Sequence, residues 1–294
     1  MSERSGNNPN PSETASIPMA AEKRPTLQLK TDQGIIAFDD TGGAGPLVVA
    51  VPGMGDVRSE YRYLTPYLSA AGYRVVTADL RGHGGSSTQW DEYSAHVVGQ
   101  DVLALMTHLG RETAIIIGNS FTAGAAMWAA HDVPEAVTAA VLLGPVLRDP
   151  PHGVPWYIKI VLSVGLGGPW RVAFWLFYFS SLFPTRKPAD FLSYRKALGD
   201  NLREPDRMGA LKAMIFRSKA DTEAILQKTN LPVFVVMGTK DGDFPDPAGE
   251  AQWAADRVGA KVLLVPGAGH YAHSEMPEQV GPAVVAFLQE CKLF

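Results

Sequence analysis

A serine stands where an apolar run gives way to a run of small residues, a position from which its hydroxyl could attack a substrate. The segment Ala114–Gly124 reads Ala-Ile-Ile-Ile-Gly-Asn-Ser-Phe-Thr-Ala-Gly and predicts a buried strand followed by a helix. A tight strand-to-helix turn projects a nucleophile such as Ser120 and places the positive end of the helix beneath it. Gly118 matches the first glycine of the elbow pattern G-x-S-x-G, whereas Thr122 stands at the second. Taken alone, the serine is equally compatible with a helix N-cap, so the motif needs partners.

A carboxylate and a histidine each follow a later apolar run after a short glycine-containing loop. Asp241 ends the segment Val-Val-Met-Gly-Thr-Lys-Asp, and His270 ends the segment Pro-Gly-Ala-Gly-His. Both residues fall at the carboxyl ends of predicted strands, the edge at which ligands bind in open parallel sheets. A serine hydroxyl needs a base to take its proton, and the base needs an orienting acid. We therefore predict Ser120 as nucleophile, His270 as base and Asp241 as acid.

The early apolar run Leu47–Val51 leads into a Pro-Gly-Met-Gly turn, which could aim backbone N–H groups at a developing negative charge. The N–H of Met54 is one candidate donor. The second is the N–H of Phe121, the residue after the nucleophile. Such a segment is by itself most often only a turn. Together with the three residues above, it predicts an oxyanion hole.

Neighbouring acids compete with these assignments. Asp243 is a rival to Asp241 as the catalytic acid, because it follows the same predicted strand. Together with Asp246 the two acids superficially resemble a calcium loop. However, Pro245 stands where such a loop wants an oxygen ligand, and the required glycine and distal glutamate are absent. Calcium binding is therefore not predicted.

The other histidines are assigned structural roles. His273 lacks the Gly-Ala-Gly lead-in of His270 and is predicted at the surface or at the rim of the pocket. His83, in an Arg-Gly-His-Gly segment, is predicted to satisfy a turn near the pocket. Two histidines so close in one loop are weak evidence for a metal site. We therefore predict neither a metal nor a cofactor.

The chain alternates short apolar runs with helix-like segments, and this pattern must position the residues above. Continuous apolar runs are typical of strands that are buried on both faces. They are found at Leu47–Val51, Tyr73–Ala78, Ala114–Ile117, Ala136–Leu143, Pro232–Met237 and Lys261–Val265. Helix-like segments are Tyr93–Leu109, Ser120–His131 and Pro277–Glu290, and an edge hairpin is predicted from Thr26–Lys30 and Gly34–Asp39. The pattern predicts an α/β fold with a mostly parallel twisted sheet flanked by helices.

The alternation fails between Val146 and about Asn230, where the sequence is helix-like and rich in aromatic residues. We interpret residues 146–230 as a helical cap inserted into a core made of residues 26–145 and 231–294. Residues 1–25 are rich in Ser, Asn and Pro, lack an apolar run of signal-peptide length and predict a flexible tail.

The aromatic residues of the predicted cap allow three interpretations. They line a substrate pocket, pack the cap onto the core, or face outward as a dimer or membrane-surface patch. For the pocket we predict Gly53, Trp175, Phe179 and Tyr271 as lining residues.

Composition excludes several classes of protein. The 294 residues include 26 basic and 30 acidic ones, which gives a formal net charge of -4, and no basic run marks a nucleic-acid-binding surface. The single cysteine, Cys291, excludes an internal disulfide. The most apolar stretch, Trp156–Phe183, is interrupted by Lys159 and Arg171, which argues against a transmembrane helix. We expect a cytoplasmic monomer or homodimer.

The set of motifs resembles the α/β-hydrolase superfamily from about Thr26 to the C-terminus. The segment Ala78–Ser86, Ala-Asp-Leu-Arg-Gly-His-Gly-Gly-Ser, is also similar to the family's segment after an early parallel strand. The resemblance implies the chain order nucleophile, acid, base, and an acid three residues after the strand-ending glycine, which selects Asp241. Pro52 replaces a histidine often found before the oxyanion glycine, and Thr122 replaces the second elbow glycine. These departures affect turn geometry and remove no reacting group.

The resemblance implies a serine hydrolase that cleaves a small apolar carboxylic ester or lactone through an acyl-enzyme, without a cofactor. The same triad supports carbon–carbon bond hydrolysis of diketone-like substrates and cofactor-free perhydrolysis, which the fold does not separate. Epoxide hydrolases and haloalkane dehalogenases are disfavoured because those relatives use an aspartate where this chain has Ser120. A non-catalytic ligand receptor is a further alternative, although such relatives often lack a member of the triad.

Overall fold

The apolar runs form one sheet in the computed structural model, which describes residues 26–292. The tail predicted over residues 1–25 lies outside the described residues. The sheet has eight strands in the order β1-β2-β4-β3-β5-β6-β7-β8. They are β1 Leu27–Lys30, β2 Ile35–Asp40, β3 Leu47–Val51, β4 Arg74–Ala78, β5 Ala114–Asn119, β6 Val137–Leu143, β7 Val233–Gly238 and β8 Lys261–Val265. At one edge β1 pairs antiparallel with β2, and β2 pairs antiparallel with β4. All the other neighbouring strands pair parallel, which confirms the predicted fold class.

Eleven α-helices surround the sheet within the described range. They are α1 Thr65–Ala70, α2 Ala95–His108, α3 Thr122–Asp132, α4 Trp156–Gly165, α5 Arg171–Ser181, α6 Phe191–Leu202, α7 Arg207–Phe216, α8 Ala220–Ile225, α9 Pro247–Val258, α10 Ala272–Glu275 and α11 Pro277–Glu290. Capping residues mark the first or last turn of several of these helices. The hydroxyl of Ser94 accepts from the N–H of Val97 at the start of α2, and Gly259 ends α9 with φ of 79°. Asp246, considered above as a calcium ligand, caps α9 instead.

The central strands are apolar throughout because both faces of the sheet are covered. Along β3 and β5, Val49 and Ile116 point into one core with α2, α3 and α9, whereas Val48 and Ile117 point into the other with α11. Burying each such side chain stabilises the fold by roughly 1.5–3 kcal/mol. The resulting rigid sheet presents the carboxyl ends of β3, β5, β7 and β8 at one edge, where the predicted site residues follow.

Helices α4–α8 all lie between β6 and β7, in the segment for which no buried strand was predicted. A cluster of rings joins this insertion to the core: Phe179 on α5 lies 5.3 Å from the ring of Tyr271, and Phe183 stacks on Tyr271 at 5.1 Å. Helix α4 differs, because nearly all of its side chains are exposed. In the range that the structure describes, we find no helix with the length and apolar character needed to cross a bilayer.

Candidate active site

Ser120 occupies a strained turn between β5 and α3. Its φ of 57° lies in the left-handed region, which non-glycine residues rarely adopt. The strain is held by close packing, because a Cβ on Gly118 would lie 2.2 Å from the carbonyl oxygen of Thr122. The backbone N–H of Ser120 donates to the carbonyl of Leu143 at the end of β6, at 2.8 Å. Two neighbouring strands therefore position the serine.

Thr122, the departure from the elbow pattern, has a defined place in the turn. Its hydroxyl accepts from the backbone N–H of Asn119 at 2.9 Å and lies 2.8 Å from the carbonyl oxygen of Val51, to which it donates. The side chain thus ties the elbow to the end of β3 in a buried position. A β-branched residue at this position therefore stabilises the turn, which the glycine pattern did not reveal.

His270 and Asp241 form a buried pair beside the elbow. Nδ1 of His270 lies 2.7 Å from Oδ2 of Asp241, and both side chains are almost fully buried. The other oxygen of Asp241 accepts from the backbone N–H of Asp243 at 3.0 Å. A Cβ on Gly144 would lie 3.1 Å from Nδ1 of His270. Because Gly144 follows the residue that accepts from Ser120, the end of β6 brings the predicted nucleophile and base to the same place.

Asp243 lies on the opposite side of the His270 ring from Asp241. Its Oδ2 is 3.6 Å from Nε2, and its Oδ1 accepts from the hydroxyl of Tyr178 at 2.5 Å. Burial lowers the pKa of His270, but the charges of Asp241 and Asp243 outweigh it and raise that pKa to about 9. Burial also raises the pKa of Asp243. The shorter contact to Nδ1 favours Asp241 as the orienting acid.

The loop after β3 is held on both sides of Met54. The N–H of Gly53 donates to Oε2 of Glu60 at 2.9 Å, and the N–H of Gly55 donates to Nε2 of His83 at 3.0 Å. Among residues 26–292, no protein group accepts from the N–H of Met54 or from that of Phe121. Their role as oxyanion donors stays a prediction.

His83 holds this loop as a neutral acceptor. Its Nδ1 lies 3.1 Å from the carbonyl oxygen of Arg81, so Nδ1 carries the proton and Nε2 accepts from Gly55. Burial lowers the pKa of His83 to about 4, which keeps the ring neutral. The prediction that His83 satisfies a turn near the site is confirmed.

His273 was predicted at the surface or at the pocket rim, and this prediction is wrong. Its side chain is buried, stacks on Tyr61 at 5.5 Å and places Nε2 3.1 Å from Oε1 of Glu60. Burial raises the pKa of Glu60 to about 8 and lowers the pKa of His273 to about 3. The 3.1 Å contact does not have hydrogen-bond geometry, whereas Oε2 of Glu60 accepts from the N–H of Gly53. A protonated Glu60 beside a neutral His273 leaves this buried pair without charge. Glu60 was not predicted as a site residue, because nothing in its sequence neighbourhood distinguishes it from a surface acid.

Three groups could in principle share a cation. One ligand atom each from Asp241, Asp243 and His270 lie within 4.8 Å of one another. However, a cation bound at Nδ1 of His270 would displace its hydrogen bond to Asp241. The donor set matches an orienting acid and a base better than a metal centre.

Comparison with known proteins identifies the family. Residues 46–277 match the family model of the alpha/beta hydrolase fold. The chain belongs to the alpha/beta hydrolase family. Membership supports a hydrolase activity.

Relatives of this hydrolase differ in their reactions. It is 28% identical over 254 residues to the dihydrolipoyllysine-residue acetyltransferase component of the acetoin cleaving system of Pseudomonas putida; the match covers 86% of this chain and 66% of that protein. It is 24% identical to 3-oxoadipate enol-lactonase 2 of Acinetobacter baylyi, over 74% of this chain and 79% of the lactonase. The crystal structure of a bromoperoxidase from Bacillus anthracis superposes with a TM-score of 0.78 at 24% identity, covering 90% of this chain and all (100%) of that one. These likenesses establish the fold and leave the reaction open.

The residues predicted to line the pocket are buried around the site of the hydrolase. Trp175 on α5 donates from Nε1 to the carbonyl of Gly55 at 3.1 Å, so the insertion rests directly on the loop that carries Met54. Phe179 and Tyr271 pack in the ring cluster that joins the insertion to the core. Gly53 lies in the loop itself. Their role in binding substrate stays a prediction.

Proposed function

We propose that this chain is a serine hydrolase that cleaves a carboxylic ester or lactone through an acyl-enzyme. The observation that supports it most directly is the buried pair of His270 and Asp241 beside the strained Ser120 elbow, with the N–H groups of Met54 and Phe121 free of protein acceptors. This arrangement contains a nucleophile, a base with its orienting acid, and two oxyanion donors.

In this mechanism Ser120 attacks the carbonyl carbon of the substrate while Nε2 of His270 takes the hydroxyl proton. The bond from the carbonyl carbon to Oγ forms, and the carbonyl electron pair moves to its oxygen. Met54 and Phe121 donate to that oxyanion, and losing one such donor costs about 3–4 kcal/mol of transition-state stabilisation. His270 then protonates the departing alkoxide. A water molecule, deprotonated by His270, then attacks the acyl carbon. The bond from that carbon to Oγ of Ser120 breaks, Oγ takes the proton back from His270, and the acid is released.

The insertion of residues 146–230 acts as a cap in this proposal. Trp175 and Tyr178 on α5 reach the core at Gly55 and at Asp243, on either side of the reacting centre. The segment above the site is dominated by aromatic and aliphatic side chains, which favours a substrate that is apolar around its scissile bond. We therefore propose Gly53, Trp175, Phe179 and Tyr271 as the walls that meet such a substrate.

A fluorophosphonate probe tests the nucleophile, because it labels an activated serine covalently. We expect rapid labelling of the wild type and none of Ser120→Ala, whose thermal unfolding should match the wild type because only one Oγ is lost. A receptor with an idle serine would react slowly or not at all. Retained ester turnover by Ser120→Ala would exclude the mechanism.

A panel of p-nitrophenyl esters, lactones, diketones and, for perhydrolysis, acetate with hydrogen peroxide separates the reactions that one triad supports. For the esters we expect kcat/KM to climb several-fold per added acyl carbon until the cavity is full, since each buried methylene contributes about 0.8 kcal/mol. Trp175→Ala should alter this chain-length profile. If p-nitrophenyl acetate is the best ester and the chain-length profile is unchanged in Trp175→Ala, the cap does not line the acyl site. Turnover confined to diketones would assign carbon–carbon hydrolysis instead.

A further inference from the structure

Helix α4 exposes an apolar face that the fold does not cover. Trp156, Ile160 and Val164 follow one another at spacings of four residues, so they share one face of the helix. Tyr157 and Val161 lie beside them, and these five residues are between 50% and 73% exposed. We call them the α4 patch. A helix of a water-soluble domain normally turns its apolar face inward, so this patch implies a partner.

The exposure is a consequence of how α4 packs. Its buried residue is Gly165, where an added Cβ would meet the ring of Phe174 on α5 at 2.6 Å. Leu162 also packs against the hydrophobic cluster of the insertion, so α4 is held by its C-terminal half and its outward side chains stay exposed. Trp170 extends the patch, because its Nε1 donates to the carbonyl of Val164 at 2.9 Å and the side chain is 53% exposed. Phe177 on α5 is also exposed, at 74%.

The charged residues of the segment that carries the patch have one sign. Residues 151–189 contain Lys159, Arg171, Arg186 and Lys187 and neither Asp nor Glu, although the chain carries a net charge of -4. Arg186 is paired with Glu278. Within the described part of the chain, no carboxylate lies within 4.0 Å of the charged groups of Lys159 or Arg171. The apolar face is thus flanked by unpaired cations.

We propose that the α4 patch docks this protein onto the surface of a lipid bilayer that contains anionic phospholipid. Tryptophan and tyrosine favour the level of the headgroups, and the aliphatic residues between them favour the acyl chains. Lysine and arginine reach the headgroups from the edge of an apolar face. With 10 residues, α4 is too short to span a membrane and lies in its interface.

A second copy of the chain fits the patch less well than a lipid surface. In a two-fold dimer the same patch meets itself, so Lys159 and Arg171 of both copies would converge without a carboxylate between them. An anionic bilayer supplies the missing negative charge over the whole face. The inference does not depend on the reaction of Ser120.

Co-sedimentation with unilamellar vesicles tests the proposal with the full chain. We expect binding to vesicles of phosphatidylcholine and phosphatidylglycerol in equal parts, with a blue shift of tryptophan fluorescence. The double variant Trp156→Ser/Ile160→Ser should bind about tenfold more weakly or worse, since it removes two large inserted side chains. The matched control is Leu264→Ser, an exposed apolar residue on β8. Its binding should equal the wild type, and all variants should unfold at the same temperature.

A second arm isolates the charges. Lys159→Gln and Arg171→Gln should each weaken binding to the anionic vesicles about fivefold and leave binding to pure phosphatidylcholine unchanged. Absence of wild-type binding, or equal binding by the double variant, overturns the proposal. So does concentration-dependent dimerisation in sedimentation velocity that the double variant abolishes without any vesicle binding by the wild type, because the partner is then a second copy.

Discussion

Two buried histidines, His270 and His273, lie three residues apart in the chain, and each contacts a carboxyl group. The two pairs differ in which partner holds the proton. In the pair of His270 and Asp241 the ring faces a second carboxylate, Asp243, and its pKa rises to about 9. In the pair of His273 and Glu60 burial dominates, so the acid keeps its proton to about pH 8 and the ring stays neutral. The number of charges around a histidine, and how far water is excluded, thus decides whether it serves as a base or as a neutral acceptor.

The difference matches the place of each pair in the site. His270 must exchange a proton with the substrate, and the neighbouring carboxylates stabilise the imidazolium that forms. Glu60 instead holds the N–H of Gly53, next to the proposed oxyanion donor Met54. A fixed neutral pair there keeps the loop in place without adding a negative charge close to the developing oxyanion.

The largest expected effect comes from removing the acid of the first pair. Asp241→Asn should lower kcat for a soluble ester by about 10⁴-fold, because the ring loses its correct tautomer and its imidazolium loses a stabilising charge. Asp243→Asn, the matched control, should be milder because its Oδ2 lies 3.6 Å from Nε2. Steady-state kinetics of both variants decide the ranking. The opposite ranking would move the acid to Asp243.

Removing the acid of the second pair should lower the activity less than removing Asp241 does. The size of the loss should depend on the shape of the new side chain rather than on its charge. Glu60→Ala removes the acceptor for Gly53 and should lower kcat/KM by up to about 10²-fold, because the loop that carries Met54 loses its support. Glu60→Gln keeps an oxygen that can accept from Gly53 and is neutral like the protonated acid, so it should remain within a few-fold of the wild type. If glutamine proves as damaging as alanine, the pair is charged and our comparison fails.

The pH dependence of kcat/KM reports the pKa of His270 in the first pair. His270 acts as a base when neutral, so kcat/KM should rise with pH with its midpoint near the raised pKa of about 9 and level off only above it. Asp243→Asn removes one of the two anions that raise this pKa, and the midpoint should therefore move to lower pH. Initial rates over roughly pH 5 to 10, corrected for spontaneous hydrolysis, measure the shift. An unmoved midpoint would remove Asp243 from the causes.

The protonation of Glu60 in the second pair should make the free energy of unfolding depend on pH. The folded pKa of Glu60, about 8, lies above its ordinary value of 4.5, so the folded state holds a proton that the unfolded state releases. Unfolding is then favoured as pH rises between those values, by about 1.4 kcal/mol per unit for this group. Urea titrations at several pH values should show this slope in the wild type and a flatter one in Glu60→Gln. Equal slopes would mean that Glu60 is ionised in the folded protein.

Much of the fold and the order of the proposed triad could be read from local patterns. A strand buried on both faces must be apolar throughout, so β3, β5 and β7 stood out as continuous runs. The proposed nucleophile and acid follow β5 and β7, and the proposed base follows β8. The short edge strands β1 and β2 were also recognised as a hairpin. Ser120 as nucleophile stays a proposal until it is labelled.

Contacts between distant segments decided the rest. His273 stacks on Tyr61 and meets Glu60, more than two hundred residues earlier in the chain, and no local spacing records such a contact. The role of the Thr122 hydroxyl could not be predicted from the sequence, because its hydrogen-bond partner lies at the end of β3. Helix α4 shows the limit most clearly, because its apolar pattern did not decide between lining a pocket, packing on the core and facing outward. Which face of a helix meets solvent depends on the neighbours that the tertiary structure supplies, and here they contact α4 mainly at Leu162 and Gly165.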